Sequence, residues 1–567
     1  MYSKVSTKYL LIILLLFFSA QQSHAQKISE NQISDSLTAI ARKYATVGKI
    51  AVSSVKANTQ TQTLVITVSD RLAEIPLRPE NVARIYHAIE RATKSKYPGY
   101  KLICISNKTA IEDLIPNFYR TEKEDATRKF GIKAQQPALV TKLSQPFRIN
   151  QGLQNRHIAL WQSHGWHYNQ EKNRWMWQRA RLFQTVEDLY TQAYVLPFLT
   201  PMLENAGATV LIPRERDTQI HETIVDNDNN IFAEGRYREH SDRKTWKTGK
   251  PGFAYQQKFY VQGENPFTEG TYRFVSTISD TDETSGIAWI PEIPEEGYYA
   301  VYVSYKTVEK STTDARYTVI HKGGKTEFSV NQTMNGGTWL YLGHFLFPKG
   351  RNNQYRVELN NLSTISDRIV TADAVKFGGG MGNIARSPLK KTLKNGTSTS
   401  NSEKTSETDS IKPFISGYPR FTEGARYWLQ WAGIPDSIYS RTQGQNDYSD
   451  DFQSRGFWLN YLAGGSQILP KREGLRVPVD MALAFHSDAG VLKNDSIIGT
   501  LGIFTETNGN GLTVFENGIS RMASRDLTDM VQTQITEDIR RTFAPEWTRR
   551  GLWNKSYSES RVPEVPT

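Results

Sequence analysis

Cysteine is almost absent from this sequence, since Cys104 is the one cysteine among 567 residues. A chain with a single thiol cannot form an intramolecular disulfide framework, a cysteine-rich zinc ribbon or a cluster held by several of its own cysteines. Any metal must therefore be bound by histidine and carboxylate side chains. At roughly 100–200 residues per domain, the length predicts about three or four domains.

Long hydrophobic runs are also scarce. The AVILMFWYC residues make up 38% of the chain, and no segment after residue 25 approaches the ~20 apolar residues that cross a bilayer. A multi-span membrane protein, a collagen-like chain and a coiled coil are thereby excluded. Lysine and arginine exceed aspartate and glutamate by 69 to 58, which favours acidic polymers as partners. The basic residues are scattered rather than striped, so nucleic acid is not an expected partner.

The first 25 residues have the pattern of an export signal. Lys4 and Lys8 form a positive start, residues 10–18 are continuously apolar, and Ser23-His24-Ala25 offers small residues for cleavage. The mature chain is expected to begin near Gln26 and to be periplasmic or secreted, with no transmembrane segment. The alternative, an uncleaved anchor, is disfavoured because the apolar run is shorter than the ~20 residues that span a bilayer.

The spacing of apolar residues divides the rest of the chain. Residues 27–150 predict a small α+β module, with a strand at 64–68, a helix at 79–92 and a strand at 101–106. No chemical constellation stands out there, so a scaffold or interaction role is the preferred interpretation.

Later segments alternate between two classes of structure. Residues 156–245 read as strand, helix and strand, whereas 250–380 alternate as in an all-β sandwich. Residues 387–412 are polar and predict a flexible linker, and 413–567 return to helices and buried strands. The predicted fold class is α/β: a twisted sheet flanked by helices, interrupted by the sandwich as an insert and preceded by the α+β module.

Three side chains at the ends of strands or the start of a helix could carry chemistry. His164 follows the predicted strand 157–161, Glu187 opens the next helix, and His486 ends the apolar run 482–485. Two imidazoles and one carboxylate can bind catalytic zinc and leave a position for water, which the metal activates for attack on a carbonyl. The Asp488 carboxylate could hydrogen-bond to a ligand histidine and so orient its ring.

Each of these residues also has an ordinary structural interpretation. His164 could serve a polar loop, and Glu187 could simply favour the positive end of a helix dipole. His486 could cap a turn, and His167 could compete with His164 as a ligand. Spacing alone does not decide between these readings.

Four segments resemble the zinc-dependent N-acetylmuramoyl-L-alanine amidases in their content and order. They are His157 to Gly165, Glu187-Asp188-Leu189, Gly207 to Arg214, and Ala484-Phe485-His486-Ser487-Asp488. The resemblance implies that 156–245 and 413–567 form one amidase-like domain. It places His164, Glu187 and His486 on the three zinc ligands, and Arg214 on the family's strand-end arginine. Ser163, Pro213, Phe485 and Asp488 depart from the family's usual residues.

The all-β insert is similar to the golvesin or xanthan-lyase-type carbohydrate-binding sandwich. The resemblance runs from Tyr272-Arg273-Phe274 to Phe377-Gly378-Gly379. The whole mature chain resembles large secreted Bacteroidetes proteins that carry the name xanthan lyase because of this module. Lyase chemistry is not implied, because a binding module does not set a reaction.

The chain end departs from the amidase pattern. The family's last strand brings in a glutamate as general acid/base, and this sequence stops at Thr567 where that strand would begin. Glu564 lies just before that place and is not assigned the role. The catalytic residue is therefore unknown and is expected beyond Thr567, and loss of a general base costs about 10²–10⁴-fold in rate.

Three functions remain open from the sequence. The leading expectation is an exported zinc amidase of peptidoglycan, impaired by the truncated end, with the sandwich tethering it to glycan. The alternative is a non-catalytic protein that binds envelope glycans, with peptidoglycan or another envelope polysaccharide as its partner. A polysaccharide lyase of xanthan type is the second alternative, although no arrangement of base and charge-neutralising group marks one.

Overall fold

The protein is described from a computed structural model over residues 30–129, 138–144, 152–182, 184–228, 235–387, 414–487 and 497–567. The predicted export signal, nearly all of the predicted linker and Asp488 lie outside these residues. The chain forms two compact units. One contains the described residues up to Lys129 and those of Gly490–Ser560, and the other those of Phe130–Ala489 with Arg561–Thr567.

The first unit is built on a four-stranded sheet. In spatial order its strands are Val52–Asn58, Thr63–Val68, Lys101–Ser106 and Thr109–Ala110. The middle two are parallel and the outer pairs antiparallel. Helix Pro79–Thr93 starts with proline at its first position, where the missing N–H costs nothing. Its apolar face is buried in the core of this unit. The predicted helix and both predicted strands of this region are thus present.

Residues 497–560 belong to this first unit, although the sequence assigned them to the second part of the α/β domain. Strand Ile503–Phe504 pairs in parallel with Trp553–Asn554. Helix Met522–Thr542 presents Asp529, which forms ion pairs with Arg78 and Arg549 at 2.8 Å each. Shorter helical segments are residues 30–41, Asp70–Leu72, Ile111–Leu114, Asn117–Tyr119 and Ala126–Arg128, and Ser558–Arg561 follows near the chain end.

Antiparallel sheets form most of the second unit. One sheet has the order Thr223–Val225, Val375–Phe377, Gly297–Val303, Leu340–Phe347; a three-stranded sheet joins Lys247–Gly252, Gly270–Ser276 and Ile369–Ala372. The largest has the order Gly235–His240, Gly286–Ile293, Arg356–Asn360, Ala315–His321, Gly324–Val330, Val140–Lys142, with Gly350–Arg351 beside Gly286–Ile293. Alternating apolar side chains from these strands fill one continuous core. The sequence placed residues 140–142 in the N-terminal module, but strand Val140–Lys142 pairs with sandwich strand Gly324–Val330.

A small parallel sheet carries the strand ends on which the candidate residues sit. Strand His157–Gln162 lies between Thr209–Leu211 and Met481–Phe485. Between strands His157–Gln162 and Thr209–Leu211 the chain forms an interrupted helical stretch. Its segments are Glu187–Tyr190, Gln192–Tyr194, a π-helical turn Val195–Leu199, and Thr200–Asn205. Pro197 and Pro201 explain the interruption, because proline removes a helical hydrogen bond and crowds the preceding turn.

Two hairpins and several helices complete the second unit. The hairpins pair Trp166–Asn169 with Arg174–Trp177 and Arg181–Leu182 with Thr185–Val186. The helices are Ala425–Trp431, Asp436–Tyr439 and Asp447–Ala463, with short 3₁₀ turns at Pro266–Thr268 and Arg420–Thr422.

The predicted fold class, an α/β amidase-like domain interrupted by an insert, is wrong. Strands predominate among the described elements, and most belong to antiparallel sheets. The physical reason is that the two-residue alternation between 235 and 377 buries side chains from several sheets. The parallel sheet has three short strands among the described residues. The sandwich is the main body of the second unit rather than an addition to it.

Within the described part of the chain, no helix has both the length and the apolar character required to span a bilayer.

Candidate metal centre

Three residues far apart in the chain converge at the carboxyl end of the parallel sheet. His164 follows strand His157–Gln162, His486 follows strand Met481–Phe485, and Glu187 begins the helix that opens the connection. One possible ligand atom from each lies within 4.8 Å of the others. The carboxyl ends of parallel strands meet at one edge, which is why side chains so distant in sequence come together.

The donor set suits a zinc ion. Oε1 of Glu187 lies 2.8 Å from Nδ1 of His486 and 3.9 Å from Nε2 of His164. These distances lie on either side of the ~3.3 Å that separates two ligands of tetrahedral zinc with bonds near 2.0–2.1 Å. His164 and Glu187 are buried, and the side chain of His486 is 25% exposed. Zinc itself stays a prediction.

Glu187 is held as a carboxylate. Ser163 Oγ donates to its Oε1 at 2.7 Å, and Arg179 Nε donates to its Oε2 at 3.3 Å. Burial alone would raise the pKa of Glu187, but the hydrogen bonds from His486 and Ser163 and the charge of Arg179 lower it below its ordinary value. An ionised carboxylate is the form that binds a metal.

Arg214 supports the loop that carries His164. Its buried guanidinium donates to the backbone oxygens of Gln162 and His164, and to those of Phe421 and Glu423. Desolvation by burial lowers its pKa to about 10. With its donors directed at backbone oxygens, Arg214 positions His164.

A buried ion pair on helix Asp447–Ala463 reaches the same histidine. Arg455 pairs with Asp451 at 2.6 Å, and its Nη2 lies 3.3 Å from Nδ1 of His164. A guanidinium only donates, so Arg455 would hydrogen-bond to Nδ1 in the tautomer of His164 that carries its proton on Nε2. Metal binding through Nε2, the nitrogen directed at Glu187, requires the other tautomer and loss of this hydrogen bond. Sequence reasoning missed this pair, although an Asp and an Arg four residues apart in a helix are a recognisable signal.

The other predicted residues have different positions. His167 is buried, and its Nδ1 lies 3.0 Å from the Met176 carbonyl oxygen, outside the three-residue cluster. Glu564 is buried, and its backbone N–H donates to Asn460 Oδ1. Asp488 lies outside the described residues.

Glu423 is a second buried carboxyl in this region that sequence reasoning missed. It accepts a hydrogen bond from Ser416 at 2.5 Å, and its own backbone oxygen accepts from Arg214. Burial raises its pKa to about 7, against the lowering effects of Ser416 and the charges of Arg420, Arg426 and Arg214. The carboxyl therefore takes up a proton when the protein folds near pH 6.

We expect Glu423→Gln to change how stability depends on pH. A folded pKa near 7 against 4.5 unfolded contributes stability that is complete below pH 4.5 and is lost as the pH rises through 7. The amide cannot ionise, so the variant does not lose this contribution as the pH rises. The unfolding free energy of the variant minus that of wild type should therefore be about 3 kcal/mol more favourable to the variant at pH 8 than at pH 4. Denaturant unfolding at both pH values measures this. The exposed Glu296→Gln is the control, and a wild-type-to-Glu423→Gln difference that does not vary with pH would contradict the expectation.

Comparison with known proteins identifies one module of the chain. Residues 260–379 match the golvesin C-terminal domain, which confirms the predicted golvesin type of the sandwich. The chain is 28% identical over 120 residues to xanthan lyase of Bacillus sp. strain GL1, a match that covers 19% of this chain and 13% of that protein. The chain thus spans a small part of this curated relative.

Solved structures with local similarity include the Paenibacillus xanthan lyase, with 26% identity, a TM-score of 0.21 and coverage of 28% of this chain and 13% of that one. Another is the family 11 carbohydrate-binding module of the Clostridium thermocellum cellulase Lic26A-Cel5E, with 12% identity, a TM-score of 0.18 and coverage of 29% and 97%. The matched family and the xanthan lyase relative do not support an N-acetylmuramoyl-L-alanine amidase.

Proposed function

We propose that this chain is an exported glycan-binding protein whose golvesin-type sandwich holds an extracellular or envelope polysaccharide. The observation that carries the proposal is the match of residues 260–379 to the golvesin C-terminal domain, together with the 28% identity to a xanthan lyase over 120 residues. That relative is named for a polysaccharide substrate. Because the match covers 13% of it, lyase activity is not carried over to this chain.

Charge and targeting agree with this role. The leader-like start supports a periplasmic or secreted location. The excess of basic residues favours acidic polysaccharides, and acidic envelope polymers and peptidoglycan are both candidates for the partner.

One face of the sandwich offers a surface suited to a sugar chain. Tyr298, on strand Gly297–Val303, is 58% exposed, and its ring centroid lies 5.6 Å from that of His344. Nε2 of His344 lies 3.3 Å from Oδ1 of Asp217, and the Gln219 amide donates to the Tyr298 carbonyl at 3.4 Å. The Asp217 carboxylate is buried and orients the half-exposed His344 imidazole. The exposed tyrosine ring beside this imidazole combines an apolar surface with a hydrogen-bonding group, as sugars require.

We expect Tyr298→Ala to weaken retention of the full chain on xanthan about tenfold, because removal of an aromatic anchor costs more than 1 kcal/mol of binding. Affinity electrophoresis in gels that contain xanthan, and pull-down on peptidoglycan, measure the effect. Tyr557→Ala is the matched control, since Tyr557 is 52% exposed and lies in the other unit. Equal retention of the two variants would refute the role of this surface, and failure of wild type to bind any polysaccharide would refute the proposed function.

Metal-dependent hydrolysis is a second candidate function, favoured by the convergence of His164, Glu187 and His486. When bound, zinc would activate water and polarise a carbonyl group. The chain's own contribution would be to hold the ion with two imidazoles and one carboxylate, while Ser163 and Arg179 orient Glu187. The bond that such a site would cleave, including the amide bond of peptidoglycan, is a separate question from the presence of the metal.

A further inference from the structure

The largest sheet of the second unit turns one side to the core and the other away from it. On its five long strands, every second residue is part of the core, including Trp289, Tyr317 and Val357. The residues between them point to the opposite side, because successive side chains of a strand alternate between the two faces of a sheet. We call this opposite side the outer face.

The outer face carries more basic than acidic side chains. Two of its acidic residues are already neutralised, since Glu358 pairs with Arg356 at 2.6 Å and Glu292 pairs with Arg351 at 3.5 Å. The face therefore keeps an excess of positive charge. Its basic residues are Arg236, Arg238, Arg316, Lys325 and Arg356, and its acidic residues are Glu292, Glu327 and Glu358.

Four of these basic residues, Arg236, Arg238, Arg316 and Lys325, form no ion pair with a carboxylate in the described part of the chain. Arg316 is half-buried, and the other three are exposed. Counter-charge from another molecule can reach such groups without breaking an ion pair of the protein. A guanidinium suits a carboxylate best, because its planar donors match the two oxygens.

Uncharged residues flank the arginines across the sheet. Arg316 lies opposite Asn360 on one neighbouring strand and Ser329 on the other, and Arg238 lies opposite Ala288. Directly opposite side chains are the closest neighbours in a sheet. No carboxylate at these positions therefore competes with a bound anion for the guanidinium groups.

The spacing of the arginines favours a polymer over a small anion. Arg238 and Arg316 lie on strands that are separated by two others in the sheet. With strands about 4.8 Å apart, the two residues are separated by roughly 15 Å. One carboxylate cannot contact both of them, whereas a chain that carries carboxylates at intervals can.

We propose that the outer face binds the carboxylate groups of an acidic polysaccharide, with Arg236, Arg238 and Arg316 as the main contacts. The inference rests on the proposed function for the glycan, and it adds the charge of that glycan and a second surface. Tyr298 belongs to strand Gly297–Val303 of the four-stranded sheet, so the aromatic and basic surfaces can be altered separately.

Retention of the full chain on immobilised xanthan, and on xanthan whose carboxyl groups have been reduced to alcohols, tests the proposal. We expect wild type to bind the native polymer about tenfold more tightly than the reduced one. This difference should shrink as salt rises towards 1 M, where the screening length falls to ~3 Å.

Arg316→Gln should weaken binding to native xanthan about fivefold to tenfold, because one charge-assisted hydrogen bond is lost. Its binding to the reduced polymer should not change. Arg441→Gln is the matched control, since it removes the same charge from an exposed arginine of the second unit, outside the residues matched to the golvesin domain. If Arg316→Gln fails to fold by circular dichroism, the double variant of the exposed Arg236→Gln and Arg238→Gln takes its place, with the same expected result.

The outcomes separate this inference from the proposed function. Tyr298→Ala should weaken binding to both the native and the reduced polymer. Equal retention of wild type on the two polymers, or equal effects of Arg316→Gln and Arg441→Gln, would overturn the role of the outer face while the glycan-binding function stands. Failure of wild type to bind any polysaccharide would overturn both.

Discussion

Lys376→Met is expected to lower the unfolding free energy of the second unit by about 3–5 kcal/mol. Lys376 and Glu215 both have fully buried side chains, and their Nζ–Oε2 distance is 2.8 Å. The ammonium group also donates to the Gly378 carbonyl at 2.7 Å and lies 4.0 Å from the ring centroid of Tyr302. Loss of the cation would leave the Glu215 carboxylate buried without its counter-charge, which is the costly way to break such a pair.

The matched control for this prediction is an exposed ion pair on the sandwich. Lys322 lies 2.9 Å from Glu296, with both side chains at least 36% exposed, so Lys322→Met should cost no more than about 1 kcal/mol. The double variant Lys376→Met with Glu215→Leu should recover part of the loss, because both charges are then removed. Denaturant unfolding of all variants measures this, and equal effects of the two lysine substitutions would contradict it.

His164→Ala is expected to weaken zinc binding at least about 100-fold, since four-ligand zinc sites bind with ~10–16 kcal/mol in total and each ligand carries a substantial share. Wild type should hold about one equivalent of zinc after dialysis, and the variant much less. Competition with a zinc chelator, with metal analysis of the purified protein, gives the two affinities. Glu187→Gln should weaken binding in the same direction, because it removes the charged ligand.

His167→Ala is the control for the metal prediction. This histidine is also buried and lies three residues from His164, but it is not part of the cluster. Its removal should leave the zinc content unchanged. Equal zinc in His164→Ala and His167→Ala would refute the metal centre, while the proposed glycan binding would be unaffected.

The three candidate residues could be singled out from sequence because they lie at strand ends or a helix start, and the resemblance to the amidases then placed them together as metal ligands. Short apolar runs before His164 and His486 predicted buried strands, and parallel strands bring their carboxyl ends to one edge. Residues that orient the cluster were harder to find. Arg455 and Asp451 lie on helix Asp447–Ala463, and nothing in the local sequence shows which residue of another segment they contact.

The fold class was not predictable in the same way. The strand, helix and strand pattern at 156–212 describes one small sheet correctly, but it gives no measure of how much of the unit that sheet occupies. Val140–Lys142 shows the difficulty, because a three-residue strand gains its partner, Gly324–Val330, from a region far along the chain. Such long-range antiparallel pairing depends on tertiary packing, which local patterns do not specify.

Hydrogen–deuterium exchange of the full chain, measured with and without xanthan, locates the bound polysaccharide on the chain. We expect slower amide exchange within residues 260–379, including strand Gly297–Val303, when the polysaccharide is present and binding is independently confirmed. Unchanged exchange throughout this module while the chain is retained on xanthan, with protection confined to other segments, would contradict the assignment of glycan binding to the sandwich.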